Sequence, residues 1–137
     1  MMNWNMTADQ LREAIDATNR SIEHHRHDVL EPLQRGEVVA TSVISGNECA
    51  LCNTYYGEHV RYGFDADDDD CVACPLYRME KGCNEDGPYS PLWNRLRELR
   101  DHPDRIDRAI AASKLMIEAL EETRAELQRA LEEEEGR

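Results

Sequence analysis

The chain has 137 residues, of which 33% are charged and 40% hydrophobic, and its formal net charge is -13. That length suits one domain of ordinary size or a small module with long helical arms, and a single phenylalanine keeps any globular core modest. The acidity argues against bulk electrostatic binding to nucleic acid, which needs a basic face, and no apolar run approaches the ~20 residues that span a bilayer.

Two further consequences follow from composition. Lys81 and Lys114 are the only lysines among sixteen basic residues. A carboxylate-rich, lysine-poor chain fits a halophilic setting, where salt screens self-repulsion; an acidic mesophilic protein is the alternative. The opening "MMNWNMTADQ" lacks the charged and apolar zones of a signal peptide, so a soluble cytoplasmic protein is expected.

The N-terminal segment, residues 1–36, reads as one amphipathic helix. Thr7 and Gln10 form a capping-box pattern, with Met6 and Leu11 placed for a hydrophobic staple. Leu11, Ile15, Thr18, Ile22, His25 and Val29 then recur at spacings of three and four, which marks one helical face. Pro32 removes a hydrogen bond, so a kink or stop is expected near Glu31, with Gly36 as the outer limit.

Residues 37–48 are rich in β-branched side chains (Val38, Val39, Thr41, Val43, Ile44) and read as a linker or short strand. Residues 49–90 hold all five cysteines and show no long helical period. "CNTYYGEHVRYGF" is β-prone around Gly57, and "DADDDD" (65–70) reads as a solvated loop.

Residues 91–137 are helical again. Ser90 and Pro91 supply a start signal, "DHPD" interrupts near Asp101, and a last helix is expected from about Pro103 to Glu134. Its apolar face is Ile106, Ile110, Ser113, Ile117, Leu120, Leu127 and Leu131, flanked by Ala109, Met116 and Ala130. The expected fold is therefore mainly α: long terminal helices packed as an antiparallel hairpin or coiled coil, around a small irregular or β zinc-knuckle module. Two half-apolar helices leave surface to cover, which favours a homo-oligomer or a protein partner.

The strongest chemical signal is Cys49-x-x-Cys52 followed by Cys71-x-x-Cys74. Two residues between thiolates let one turn present both sulfurs to a single ion, and two such turns complete a tetrahedron. Cys83 is a fifth candidate able to replace Cys71 or Cys74, and His59 is a sixth. In a reducing compartment this pattern favours metal over disulfides. A thioredoxin-like dithiol would sit beside a βαβ pattern that is absent here. Zinc is favoured over an iron–sulfur cluster, which also takes four thiolates. Four thiolates leave no open position, so the site is expected to be structural rather than catalytic. Arg61, Arg78 and Lys81 are the nearby cations available to offset its negative charge.

The run "ECALC…DCVACPLYRMEKGCNEDGPYSPLW" resembles a group of small, uncharacterised cysteine-rich proteins of bacteriophages, bacteria and archaea. They share the order C-x-L-C, C-x-x-C-P, a lone C, then P-Y and W, matched here by Cys49, Leu51, Cys52, Cys71, Cys74, Pro75, Cys83, Pro88, Tyr89 and Trp93. The stretch Asn53–Asp70 is longer and more acidic than expected of that group. The resemblance implies that all five cysteines act together; it implies no activity.

Other candidates carry less chemistry. His24, His27, Asp28 and Glu31 in "EHHRHD" and the turn after it share one side of the first helix, either as a metal set or as a polar face with His25 in the seam. "DDDD" and "EEEE" lack calcium-loop spacing and read as solvated charge. Trp4 and Trp93 read as packing anchors. No phosphate loop or nucleophile elbow occurs. The expected function is a non-enzymatic protein with a structural zinc site, acting through protein–protein contact or self-assembly. In a phage or archaeal-virus setting it would act on a host factor in the host cytoplasm. The alternative is a zinc-finger nucleic-acid binder using Arg95, Arg97, Arg100, Arg105 and Arg108, which alternate with Glu98, Asp101, Asp104 and Asp107.

Overall fold

A computed structural model describes residues 3–45, 49–81 and 87–137 of the chain. Helix α1 (Ala8–His24) opens on the expected capping box: the Gln10 N–H donates to Thr7 Oγ1 at 3.2 Å, and the Thr7 N–H to Gln10 Oε1 at 2.9 Å. Met6 and Leu11, the staple pair, are both buried.

Pro32 does not end this helix. The chain widens ahead of it into a π-helical stretch, His25–Leu30, where the Glu31 N–H donates to the Arg26 carbonyl five residues back. Widening moves the pairing register just before the residue that has no N–H to give, so the axis continues through α2 (Glu31–Gln34). The stop comes at Gly36, whose φ of +84° is one that glycine adopts without steric cost.

Residues 37–40 have no regular secondary structure, Ala40 being extended, and Thr41–Ile44 form a 3-10 turn. No strand forms among the described residues, here or between the cysteine pairs: the linker reading of residues 37–45 stands over the short strand, and the hairpin expected around Gly57 is corrected. β-branched residues favour a strand only where a neighbour completes the ladder and packs their side chains. Val39 and Ile44 instead bury themselves as anchors, and the Tyr89 hydroxyl donates to the Ile44 carbonyl at 2.8 Å.

Three short helices follow: α3 (Ala50–Tyr55), α4 (Pro75–Arg78) and α5 (Tyr89–Leu99). A 3-10 turn at Pro103–Arg105 leads into α6 (Ile106–Glu135), which at ~1.5 Å per residue is roughly 45 Å long.

The long helices pack against each other within one chain as an antiparallel hairpin. Their direction is read from cross-helix pairs: Arg12 to Glu135 at 3.0 Å, Arg124 to Asn19 at 2.9 Å, and Arg26 to Glu121 at 3.2 Å. The buried stripe of α6 runs Ala109, Ser113, Met116, Leu120, Thr123, Leu127; that of α1 and its continuation runs Leu11, Ala14, Thr18, Ile22, His25, Val29, Leu33. Ile15, Ile110 and Leu131, expected at the centre, lie at the margins. The stripes mix large side chains (Leu11, Ile22, Leu33, Met116, Leu120, Leu127) with small ones (Ala14, Thr18, Ala109, Ser113, Thr123), all buried. Thr18 and Thr123 satisfy their buried hydroxyls on the carbonyls of Ala14 and Ala119, at 2.7 and 2.8 Å.

Around the hairpin, α3 packs on α1, while α4 and α5 pack on α6. Leu92, Leu96 and Leu99 bury the inner face of α5. Among the described residues no helix is long and apolar enough to cross a membrane.

Candidate metal centre

Both described C-x-x-C pairs sit at the mouths of short helices. Cys49 is the N-cap residue of α3 and Cys52 lies in its first turn, so the two sulfurs share one side of the helix. Cys74 is the N-cap residue of α4, with Pro75 at its start and its own N–H donated to the Cys71 carbonyl at 3.0 Å. The eighteen intervening residues form no hairpin. They leave and return as a loop whose neck is closed by the Gly57 N–H donating to the Asp70 carbonyl at 2.9 Å. That closure returns the chain to the C-terminal end of α3 just before the second cysteine pair begins.

Four of the five candidate cysteines fall among the described residues; Cys83 lies outside them. Cys74 is buried in the core, and Cys49 packs against the same core. The Cys49 thiol is pushed far above its usual range, first by its hydrogen bond with Cys52 and then by burial. Burial pushes the Cys74 thiol up to about 12, with Cys49 and Cys52 near enough to add to the shift. Cys71 is raised by burial and then by Asp69 and Asp70, its neighbours on the acidic loop. A bare thiolate is therefore costly at these positions, and a divalent cation is the kind of group that removes the cost. Among the described residues, no three histidine, cysteine, aspartate or glutamate side chains converge tightly enough to hold an ion as they stand.

The other sequence candidates are placed as follows. His59 sits beside the acidic loop, its Nε2 3.1 Å from the Ala66 carbonyl and its Nδ1 3.7 Å from Asp70. His24 pairs with Asp28 at 2.8 Å and meets the Val43 carbonyl at 2.7 Å. His27 stands between Glu23 at 2.7 Å and Glu31 at 3.1 Å, which raises its pKa. The helix-1 set therefore splits into separate polar pairs, while His25 enters the seam.

Of the three cations near the cysteines, Lys81 pairs with Glu122 at 2.7 Å and Arg61 lies 5.5 Å over the Tyr62 ring. Arg78, one turn past Cys74, lies 5.0 Å over Trp4 and 5.6 Å over Phe64, and donates to the Trp4 carbonyl. Trp4 is thus an anchor, tied to the cysteine segment by this guanidinium. Spacing also gives no hint of the buried Tyr55–Tyr62 pair, whose ring centroids are 5.4 Å apart. Glu13 of α1 acts on both hydroxyls, which sets this pair against the hairpin. At the other end, Glu98 gathers Arg95 at 2.9 Å, Arg105 at 2.9 Å and Arg108 at 3.4 Å, and Arg97 lies 5.6 Å over Trp93.

Compared with family models, curated proteins and solved structures, the chain gives no match.

Proposed function

We propose that this protein is non-enzymatic and binds zinc at a structural site. It acts through protein–protein contact or self-assembly, and in a viral setting on a host factor. The observation that carries the reading is that two C-x-x-C pairs open the short helices α3 and α4, with Cys49 and Cys74 packed into one core. These are the soft donors zinc prefers, and cysteines filling its sphere leave no position for a substrate. The ion would tie down a middle segment whose apolar anchors are few: Leu51, Tyr55, Tyr62, Ala73 and Leu76. Its role is to hold the base of the hairpin in shape while the hairpin meets the partner. With 29 carboxylates against 16 basic residues, a partner with a basic surface fits best.

The nucleic-acid alternative loses support at the arginines it relied on. Arg95, Arg105 and Arg108 converge on one carboxylate, and Arg97 lies over a tryptophan.

Native mass spectrometry with metal analysis of the full chain tests the proposal. One zinc per chain is expected, lost on chelation together with a drop in thermal midpoint. A metal-free chain of equal stability sinks the metal reading, and a visible absorption band moves it to an iron–sulfur cluster. Salt-sensitive binding to DNA or RNA restores the alternative.

A further inference from the structure

The net charge of the chain is -13, yet around Glu98 the balance reverses. This residue, on the last turn of α5, meets guanidiniums from three successive elements: Arg95 on α5, Arg105 in the 3-10 turn and Arg108 on α6. Arg95 Nη1 donates to Glu98 Oε2 at 2.9 Å, while Arg105 and Arg108 share Oε1 at 2.9 and 3.4 Å. Sharing one oxygen holds those two guanidiniums side by side. Among the described residues Glu98 is the only carboxylate in ion-pair contact with any of the three; Asp101, Asp104 and Asp107, which alternate with them in sequence, are exposed and take no part in these pairs. The Glu98 side chain is 15% exposed, against 42%, 40% and 58% for Arg95, Arg105 and Arg108. Each guanidinium has five N–H donors and gives Nη1 to Glu98, which leaves donors to spare on side chains about half open to solvent.

Three positive charges around one negative charge leave a surplus of two, and like charges held this close repel until a further anion enters. A clip between α5 and α6 needs only one of these arginines, and half-exposed ion pairs contribute little to stability. With Arg97 drawn over Trp93, the cluster is one spot rather than a track, which fits a single small anion and not a nucleic-acid strand. We propose that Arg95, Arg105 and Arg108 form a site for a doubly charged oxyanion, a phosphate or phosphomonoester group, with Glu98 holding the three in position. Guanidinium forks match phosphate oxygens in shape as well as charge. A dianion brings the formal charge of the cluster to zero, and a monoanion does not. The site goes beyond the zinc reading and uses none of its residues.

Titration calorimetry of the full chain with inorganic phosphate tests the site, potassium phosphate replacing potassium chloride at equal ionic strength so that general screening is constant. Saturable binding of one phosphate per chain is expected. Arg105→Gln and Arg108→Gln should each weaken it about tenfold, the worth of one charged hydrogen bond, with folding checked by circular dichroism. Arg20→Gln removes the same charge from α1, where Arg20 pairs with Asp16 at 3.1 Å, and should leave phosphate binding unchanged. A peptide bearing one phosphoserine identifies the source of the group. Binding about tenfold tighter than inorganic phosphate assigns the site to a phosphorylated side chain, and equal binding assigns it to free phosphate. Heat no different from the chloride control overturns the site, and so do equal losses in Arg20→Gln and Arg105→Gln.

Discussion

His25 is 3% exposed in the hairpin seam, and its Nδ1, like the hydroxyls of Ser21 and Ser113, has no hydrogen-bond partner. Burial, helped by the neighbouring His24, lowers its pKa from 6.5 to about 4. The ring is therefore neutral in the fold and charges more readily when the chain unfolds. Its contribution is whole above pH 6.5 and is lost as pH falls from there toward 4. Between about pH 7.5 and 5.5 the wild type should lose roughly 1.3 kcal/mol through this group, since a tenfold difference in proton affinity is worth about 1.4 kcal/mol. His25→Leu should remove that loss. Urea unfolding at the two pH values measures it, and parallel losses in both proteins would rule the account out. Periodicity placed His25 in the seam, but its lack of a partner depends on what α6 presents there.

At the scale of elements, the sequence was most legible where a local rule decides. The Thr7–Gln10 box forms because both partners lie in one turn and need nothing from elsewhere. Thr7→Ala should cost about 1 kcal/mol, read from the denaturation midpoint at unchanged slope. A Gln10→Ala loss added on top should be smaller than its loss alone, because the box is reciprocal; full additivity would count against it. Helix α6 was equally plain, expected from about Pro103 to Glu134 and found at Ile106–Glu135 after a 3-10 turn. Of the two readings of residues 37–48 the strand does not form over 37–45 while the linker stands, and the hairpin expected between the cysteine pairs is absent, since β-branched composition records what suits a strand and not whether a partner strand exists. At Pro32 the helix does not stop, since the ladder shifts to a π turn ahead of the proline, and it ends at the outer limit, Gly36.

For the whole molecule, charge is the dominant unpaired quantity. The ion pairs that cross between the long helices are half exposed, Arg12–Glu135 at 51% on each side and Arg26–Glu121 at 40% and 42%, so each contributes little. The excess of thirteen carboxylates, 29 against 16 basic residues, repels throughout. Screening should therefore stabilise more than it harms. The thermal midpoint is expected to rise as potassium chloride goes from about 0.1 M, with a Debye length of about 10 Å, to about 1 M, with about 3 Å. A falling midpoint would show that the ion pairs outweigh the repulsion, and would remove the case for a high-salt setting.

Sequence alone determined the helical class, the Thr7 cap, the two apolar stripes and the cysteine spacing, because each depends on residues within a few positions of one another; Ser90, expected as a cap, lies inside α5, whose N-cap residue is Pro88. Only the tertiary structure decided that the long helices fold onto each other within one chain, that Ile15 and Ile110 lie at the margin of the buried core, and that Glu98 gathers three arginines. It also decided that Cys74 turns into the core while Cys71 stays with Asp69. The physical reason is common to all of these. Spacing fixes which side chains share a face, but which of two equivalent faces or sulfurs is buried depends on how closely distant segments approach, and that distance is a property of the packed whole.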